Sequence, residues 1–220
     1  MGAALLFDLD GTLVDSDAEH LVAFQRVFAP HGVALDRDSY VARIMGASND
    51  AIAQAFLSHL PPELQVATIA AKEAAYRESL GALDPIAGAG ALLDFADARG
   101  LRRAVVTNAP RANADLVLKA LGLDARLPIR VIGGELARSK PDPLPYLTGL
   151  ERTGARAEHS VAFEDSPSGV RAAVAAGLAV VGLTTSLDAD RLIALGASLA
   201  VADFTDPSIY ELIESRMARA

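Results

Sequence analysis

The sequence predicts an α/β fold, in which a parallel β-sheet is covered by helices on both faces and carries an inserted helical bundle. Short segments of continuous apolar residues alternate with segments of helical periodicity, which is typical of a parallel sheet buried on both sides. One long stretch, residues 17–83, has helical patterns but no strand pattern. We therefore expect a core of residues 1–16 and 84–220 and a helical cap domain of residues 17–83.

The predicted strands are short apolar segments. Six are expected, at residues 3–7, 103–107, 129–132, 160–163, 179–183 and 198–202. The helical segments that alternate with them are residues 90–99, 111–121, 144–153, 168–176 and 189–195. In such sheets ligands bind beyond the carboxyl ends of the strands, so functional residues are expected there.

Four helices are predicted within the cap, at residues 18–28, 37–44, 49–57 and 62–79. Helices that simply cover the sheet are the alternative, but this block is too long for one connection between two strands. A cap joined to the core near residues 14–18 and 81–85 is expected to open and close over the edge of the sheet.

The composition excludes several classes of protein. The 220 residues carry a net charge of −8, and the sequence has no basic patch suited to a nucleic-acid backbone. Cysteine is absent, which excludes a disulfide framework. No apolar run approaches the roughly 20 residues that a membrane helix needs, and no signal-peptide pattern is seen. We expect a cytoplasmic protein, a monomer or weak dimer, with neither a membrane nor a nucleic acid as partner.

Asp8 and Asp10 are the strongest functional signal. They follow the first predicted strand, and Gly11 then allows a sharp turn. Residues two apart in a strand point the same way, and like charges about 4 Å apart cost on the order of 4 kcal/mol at an effective dielectric constant near 20. A Mg²⁺ ion would remove this repulsion, and an aspartate can attack phosphorus to form an aspartyl-phosphate. An ordinary polar turn is the alternative.

Polar residues also follow the second and third predicted strands. The Thr107 hydroxyl and the Asn108 amide can donate hydrogen bonds to phosphoryl oxygens, although such a pair at a strand end more often caps the next helix. Lys140 can neutralise charge that develops on a phosphoryl group, and Pro141 keeps it extended. A solvated surface lysine is the alternative.

Glu164 and Asp165 follow the fourth predicted strand. Their side chains point to opposite faces if the strand continues, so one can ligate a metal ion while the other supports it. Capping of the next helix by Asp165 or Ser166 is the alternative, and it is compatible with a metal site. Acids, a Thr-Asn pair and a lysine at one edge of the sheet favour a single active site over unrelated features.

These four segments resemble the motifs of the haloacid dehalogenase superfamily, and the resemblance covers essentially the whole chain. Residues 8–16 match the first motif, Thr107 and Asn108 the second, residues 140–143 the third and residues 164–166 the fourth. The resemblance implies a Rossmann-like core. The inserted helices are similar to the small cap of the β-phosphoglucomutase and phosphoglycolate phosphatase-like subfamily, which also includes sugar-phosphate phosphatases.

The resemblance implies a role for each core residue. Asp8 is the nucleophile, Asp10 is the general acid and then the base for water, and Lys140 pairs with Asp8 and the phosphate. The implied phosphate-binding residues are Asp8, Thr107, Asn108 and Lys140, and the implied Mg²⁺ ligands are Asp8, Asp10 through its carbonyl, Asp165, and Glu164 directly or through water. Dehalogenating members lack the second aspartate and the metal, so Asp10 argues against dehalogenation.

Five cap residues match positions that face the substrate in β-phosphoglucomutase-like proteins, namely His20, Gly46, Ser48, Asn49 and Lys72. For His20, an ordinary histidine on a helix face is the alternative. The mutases carry an arginine at the place of Asn49, where it grips a second phosphate, and an amide cannot supply that charge. This departure favours a phosphatase over a mutase.

The function that these residues predict is Mg²⁺-dependent hydrolysis of a small phosphorylated metabolite, such as a sugar phosphate or a phosphoglycolate-like compound, through an aspartyl-phosphate. A β-phosphoglucomutase-type sugar phosphomutase, which returns the phosphoryl group to a sugar, is the first alternative. A non-catalytic phosphoacceptor switch is the second, and the helical insertion and the position of both aspartates on the first strand argue against it.

Overall fold

The six predicted strands form one parallel sheet in the computed structural model, which describes residues 2–218. The strands are β1 (Ala4–Phe7), β2 (Arg102–Thr107), β3 (Ile129–Ile132), β4 (Val161–Glu164), β5 (Ala179–Leu183) and β6 (Leu199–Val201). Their order is β3-β2-β1-β4-β5-β6, and every neighbouring pair is parallel. The first strand therefore lies centrally, between β2 and β4.

Ten α-helices are present among the described residues. They are α1 (Asp17–Phe28), α2 (Arg37–Arg43), α3 (Asn49–Phe56), α4 (Pro62–Ser79), α5 (Ala89–Ala98), α6 (Arg111–Ala120), α7 (Leu144–Thr153), α8 (Pro167–Ala175), α9 (Ala189–Ala194) and α10 (Pro207–Met217). Each predicted strand and helix begins and ends within one residue of its predicted bounds. Helix α10 was not predicted; Asp206 caps it by accepting a hydrogen bond from the Ser208 N–H.

Helices cover both faces of the sheet. Along β1, Leu5 and Phe7 belong to an apolar cluster that includes residues of α5, α6 and α10, while Ala4 and Leu6 belong to a cluster with residues of α7, α8 and α9. Successive residues of a strand point to opposite faces, so a continuously apolar strand buries both of its sides. This explains why the core strands lack a polar alternation.

Helices α1 to α4, residues 17–79, are called the insertion below. They enclose an apolar cluster of their own, which includes Phe24, Phe28 and Ile52. Ala23 of α1 and Tyr76 of α4 also pack into the core cluster on one face of the sheet. The absence of strands from the insertion agrees with the sequence, whereas the division into two domains at residues 17 and 83 stays a prediction.

None of the helices in residues 2–218 combines the length and the apolar character that crossing a membrane requires.

Candidate active site

The carboxyl ends of β1, β2 and β4 bring the predicted core residues together. In the sheet Phe7 pairs with Val105 of β2 and with Phe163 of β4. The Asp8 N–H continues this pairing by donating to the Phe163 carbonyl at 3.0 Å. Parallel neighbours end at the same edge, so Asp8 lies between the end of β2, at Thr107, and the end of β4.

Asp8, Glu164 and Asp165 form a buried carboxylate cluster. One carboxylate oxygen from each lies within 4.8 Å of the others, and Glu164 is completely buried. Burial, reinforced by the charges of Asp8 and Glu164, raises the pKa of Asp165 well above its ordinary value. Carboxylate oxygens clustered in this way suit a hard divalent cation, whose charge would offset the repulsion among them. The donor set therefore fits the predicted Mg²⁺.

Lys140 provides the positive charge that faces this cluster. Its Nζ lies 2.6 Å from Asp8 Oδ1 and 2.5 Å from Glu164 Oε1. Burial lowers the pKa of Lys140, but the two carboxylates outweigh burial and raise it, so the side chain is an ammonium. Tyr146 of α7 donates to Glu164 Oε1 at 2.6 Å and fixes that carboxylate. Lys140 is only 2% exposed, which excludes the solvated surface lysine.

The pKa of Asp8 is raised to about 7. Burial is the main cause, Glu164 and Asp10 add to it, and Lys140 acts against it through its charge and its hydrogen bond. The ammonium of Lys140 thus does not offset the burial of Asp8. A bound cation would lower the pKa of Asp8 again and keep it in the carboxylate form that a nucleophile requires.

The turn after β1 places a glycine against Asp165. Gly11 has a φ of 75°, and a Cβ at this position would collide with the Asp165 carboxylate. Both observations require glycine. Thr12 donates to Asp165 Oδ1 at 3.0 Å, and Ser186, after β5, donates to Oδ2 at 2.8 Å. Asp165 is therefore held from two sides, by residues that the sequence did not single out.

Asp10 contacts the insertion. Its Oδ1 accepts a hydrogen bond from Ser16 at 2.7 Å and lies 3.3 Å from His20 Nε2 and 3.4 Å from the Tyr76 hydroxyl. Burial raises the pKa of Asp10, but His20, Ser16 and Lys72 together outweigh burial and lower it. Its carboxylate is not part of the three-carboxylate cluster found among the described residues. Its carbonyl, the atom that the resemblance assigns to the metal, stays a predicted ligand.

Thr107 and Asn108 do not cap the following helix. Helix α6 begins after Pro110 without a side-chain cap, and Thr107 Oγ1 accepts from the Ala109 N–H at 3.0 Å. The Asn108 amide spans two loops. Its Nδ2 donates to the Gly46 carbonyl at 2.9 Å, and its Oδ1 accepts from the Lys140 N–H at 3.2 Å. The helix-cap alternative is wrong, and both residues line the cavity above Asp8.

Ser166 does cap the next helix. Its Oγ accepts from the Gly169 N–H at 3.1 Å at the start of α8 and donates to Glu164 Oε2 at 3.2 Å. Capping and the carboxylate cluster therefore coexist, as the sequence allowed, with Asp165 left to the cluster.

A cavity of about 80 Å³ lies between the insertion and the edge of the sheet. Asp8, Asp10, Thr107, Asn108, Lys140 and Asp165 line its core side. Of the predicted cap residues, His20, Gly46, Asn49 and Lys72 line the opposite side. Ser48 differs from the prediction: it is not among the lining residues, and its Oγ accepts from the Ala51 N–H at 3.3 Å and caps α3.

Gly46 joins the insertion to the core. Its carbonyl accepts hydrogen bonds from Asn108 and from Ser168 Oγ, the latter at 2.5 Å. The φ of Gly46 is 67°, and a Cβ there would lie 2.5 Å from Ser166 Oγ. A side chain is thus excluded at this contact by the backbone and by space.

Several lining residues were missed by the sequence reasoning. On the insertion side they are Asp17, Phe24, Tyr40, Ile44, Met45, Ile52 and Glu73. Most are apolar, and in a sequence they look like ordinary core residues of helices. Glu73 could have been found from its position next to Lys72, because a lysine that faces a buried site needs a carboxylate partner.

The fold and the site together define a class: α/β proteins with buried carboxylates and a lysine at the carboxyl edge of a parallel sheet, facing a helical insertion.

The chain belongs to the haloacid dehalogenase-like hydrolase family, whose model matches residues 5–183. It is 35% identical over 193 residues to validoxylamine A 7'-phosphate phosphatase of Streptomyces hygroscopicus subsp. limoneus, covering 85% of this chain and 88% of that protein. It is 35% identical over 214 residues to phosphoglycolate phosphatase of Rhodospirillum rubrum, covering 93% of this chain and 88% of that protein.

A similar solved structure is that of a CbbY variant from Rhodobacter sphaeroides in complex with xylulose-1,5-bisphosphate. It has a TM-score of 0.82 and 27% identity, and the match covers 94% of this chain and 96% of that chain. Together these matches confirm the predicted family, the predicted fold class and the prediction of a hydrolase.

Proposed function

We propose that this hydrolase is a Mg²⁺-dependent phosphatase that releases phosphate from a small phosphorylated metabolite through an aspartyl-phosphate on Asp8. The observation that carries the proposal is the pairing of Asp8 Oδ1 with Lys140 at 2.6 Å, beside Glu164 and Asp165 at one wall of a cavity. The relatives named above are phosphatases of phosphorylated small molecules by their names.

In the first step the Asp8 carboxylate attacks phosphorus. Lys140 holds Oδ1, and Oδ2 is the proposed attacking atom. The Asp8–phosphorus bond forms, the bond from phosphorus to the ester oxygen breaks, and that oxygen takes a proton from Asp10. Thr107 donates a hydrogen bond to a phosphoryl oxygen, which carries growing negative charge, and Asn108 does the same once its amide leaves the Gly46 carbonyl.

In the second step water attacks phosphorus, Asp10 accepts its proton, and Asp8 is released with inorganic phosphate. The lowered pKa of Asp10 suits this second role, because a carboxylate is needed to accept a proton. For the first role Asp10 must take up a proton. A negatively charged phosphate ester beside it favours that protonated form.

Asp8, Asp165, the Asp10 carbonyl and Glu164, directly or through water, are the residues proposed to hold Mg²⁺. When bound, the ion supplies electrostatic stabilisation to the phosphoryl oxygens and to the Asp8 carboxylate.

The mutase alternative is disfavoured by the side chain at position 49. Asn49 lines the cavity, and no arginine does so among residues 2–218. A second phosphate would therefore lack the bidentate partner that arginine offers. The phosphoacceptor-switch alternative is disfavoured because Asp10, with His20 at 3.3 Å, places a proton-transferring group close to Asp8, which a stable acyl-phosphate does not require. We also propose that the insertion acts as a cap, that the protein is cytoplasmic, and that it is a monomer or weak dimer.

The test is phosphate release from a set of phosphorylated metabolites with and without Mg²⁺. We expect multiple turnovers that need Mg²⁺ and stop in Asp8→Asn. The matched control is Asp15→Asn, because Asp15 belongs to the same motif but is exposed. Undiminished release by Asp8→Asn would exclude the proposal. Conversion of sugar 1-phosphate to 6-phosphate without free phosphate would show the mutase instead.

A further inference from the structure

We infer that the preferred substrate carries no second anionic group: its leaving alcohol is neutral and has an apolar side. This inference rests on the proposed phosphatase function and concerns the insertion side of the same cavity. The charges and the apolar side chains there point to it together.

The insertion side of the cavity is apolar and acidic. Six lining residues are apolar or aromatic, namely Phe24, Tyr40, Ile44, Met45, Ala47 and Ile52. Two are acids, Asp17 and Glu73. A carboxylate or phosphate on the leaving group would lose water against the apolar residues and face the negative charge of Asp17, while Glu73 offsets the charge of Lys72. A neutral alcohol meets neither penalty.

The cations that line the cavity are already engaged. Within the described part of the chain they are Lys140, Lys72 and, if protonated, His20. Lys140 is held by Asp8 and Glu164, so its charge serves the phosphoryl group being transferred. Lys72 is therefore the residue on which recognition of a second anion would depend.

The N–H donors of the Lys72 ammonium are all directed to partners within the protein. Its Nζ lies 3.2 Å from each oxygen of Glu73 and 2.9 Å from His20 Nδ1. It also sits 4.2 Å from the centre of the Phe24 ring. An ammonium has three protons to donate. His20 in turn lies between Lys72 at Nδ1 and Asp10 at Nε2, so both of its ring nitrogens are also used within the protein.

Glu73 is fixed in place by the core. Its Oε2 accepts from Asn113 Nδ2 of α6 at 2.6 Å, and Asn113 Oδ1 accepts from Arg77 at 2.7 Å. Asn113 is 1% exposed. The carboxylate cannot turn away to free Lys72 without leaving a buried amide unpaired. Glu73 therefore neutralises Lys72 as a permanent part of the wall.

Two arginines adjacent in sequence to lining residues are held elsewhere. Arg43 precedes Ile44, but it donates to the Ala55 carbonyl at 2.9 Å and lies 4.3 Å from the centre of the Phe56 ring. Arg111 follows Pro110, and its Nε and Nη2 donate to the two carboxylate oxygens of Glu135, each at 2.7 Å. Neither is directed to a leaving group in this arrangement.

The experiment compares phosphate esters that differ only in a carboxylate. The pairs are 2-hydroxyethyl phosphate with 2-phosphoglycolate, and glycerol 3-phosphate with 3-phosphoglycerate. We expect kcat/KM to be higher for each neutral member by about tenfold or more, mainly through KM, because like charges oppose binding. Equal or better use of the carboxylates overturns the inference. Absence of phosphate release from every ester, p-nitrophenyl phosphate included, refutes the proposed function itself and the inference with it.

Two variants test the cause of the preference. Glu73→Gln keeps the hydrogen bond to Asn113 but frees the charge of Lys72, and Asn49→Arg adds a cation to the same wall. We expect each to raise kcat/KM for the carboxylate substrates relative to their neutral partners. The control is Glu78→Gln, since Glu78 is exposed on the same helix. If Glu73→Gln does not fold, Asn49→Arg decides. An unchanged ratio in the folded variants overturns the charge argument.

Discussion

Replacing the proposed nucleophile by asparagine should stabilise the metal-free protein. Asp8 is 7% exposed, and its pKa rises from 3.8 to about 7 on folding. Each pKa unit corresponds to about 1.4 kcal/mol, so ionising Asp8 in the fold at pH 8 costs about 4 kcal/mol more than in the unfolded chain. Asparagine has nearly the same shape without the charge. We therefore expect Asp8→Asn to increase the free energy of unfolding by about 4 kcal/mol at pH 8.

The pH dependence follows from the direction of the shift. Between pH 3.8 and about 7 the unfolded chain has released the Asp8 proton while the folded protein still holds it. The contribution of Asp8 to the stability of the wild type therefore falls as the pH rises through this range and is constant above it. The advantage of Asp8→Asn should shrink to about 0.5 kcal/mol near pH 4.

The assay is urea unfolding in the presence of a chelator at pH 4 and at pH 8. Asp10→Asn is the matched control with the opposite sign. The pKa of Asp10 is lowered on folding, because His20 and Ser16 outweigh burial, so its carboxylate contributes stability above its unfolded pKa and Asp10→Asn should lower the stability at pH 8. If Asp8→Asn is no more stable than the wild type at pH 8 without metal, the reasoning about the carboxylate cluster is wrong. Saturating Mg²⁺ should stabilise the wild type and narrow the difference.

Three other predictions concern the same site and the insertion. Lys140→Met should abolish phosphate release and lower the free energy of unfolding at pH 8 by about 3–5 kcal/mol, because it leaves buried carboxylates without their ammonium. Urea unfolding measures the loss of stability, and an unchanged midpoint would count against this prediction. Gly11→Ala should weaken Mg²⁺ binding in calorimetry, because its Cβ collides with the Asp165 carboxylate; wild-type affinity would contradict the assigned ligand. Mg²⁺ with a phosphate analogue should make the protein more compact in small-angle scattering, through bending near residues 14–18 and 81–85, and identical profiles would argue against a closing cap.

The sheet and most helices were predictable because each rests on local patterns. Strands such as β1 are continuously apolar, and the four helices of the insertion carry no competing strand pattern. Helix α10 was missed although Asp206 and Pro207 form a start signal and Ile209 and Ile213 lie one turn apart. Helix α10 follows the last strand, whereas the other core helices were predicted from their position between two successive strands.

The motif residues of the site could be found from their positions at the ends of successive strands, whereas the residues that hold them in place could not. Parallel strands align their carboxyl ends, so residues after β1, β2 and β4 had to meet. The partners that fix them depend on side-chain packing across the chain. Tyr146 reaches Glu164, and Ser186 reaches Asp165, from loops and helices whose sequence gives no sign of the contact. The contact of Glu73 with Asn113, 40 residues apart, is of the same kind.

The Gly46 carbonyl has a consequence for how this protein could be redesigned. The insertion reaches Asn108 and Ser168 through a backbone oxygen, so this one contact does not depend on which side chains the insertion carries. A glycine at this one position is the requirement. Lining residues of the insertion that make no contact with the core, such as Ile44 and Ile52, are thereby free to change while this contact is kept. New substrate preferences can be built on α1 to α4 without altering the residues that carry out the chemistry.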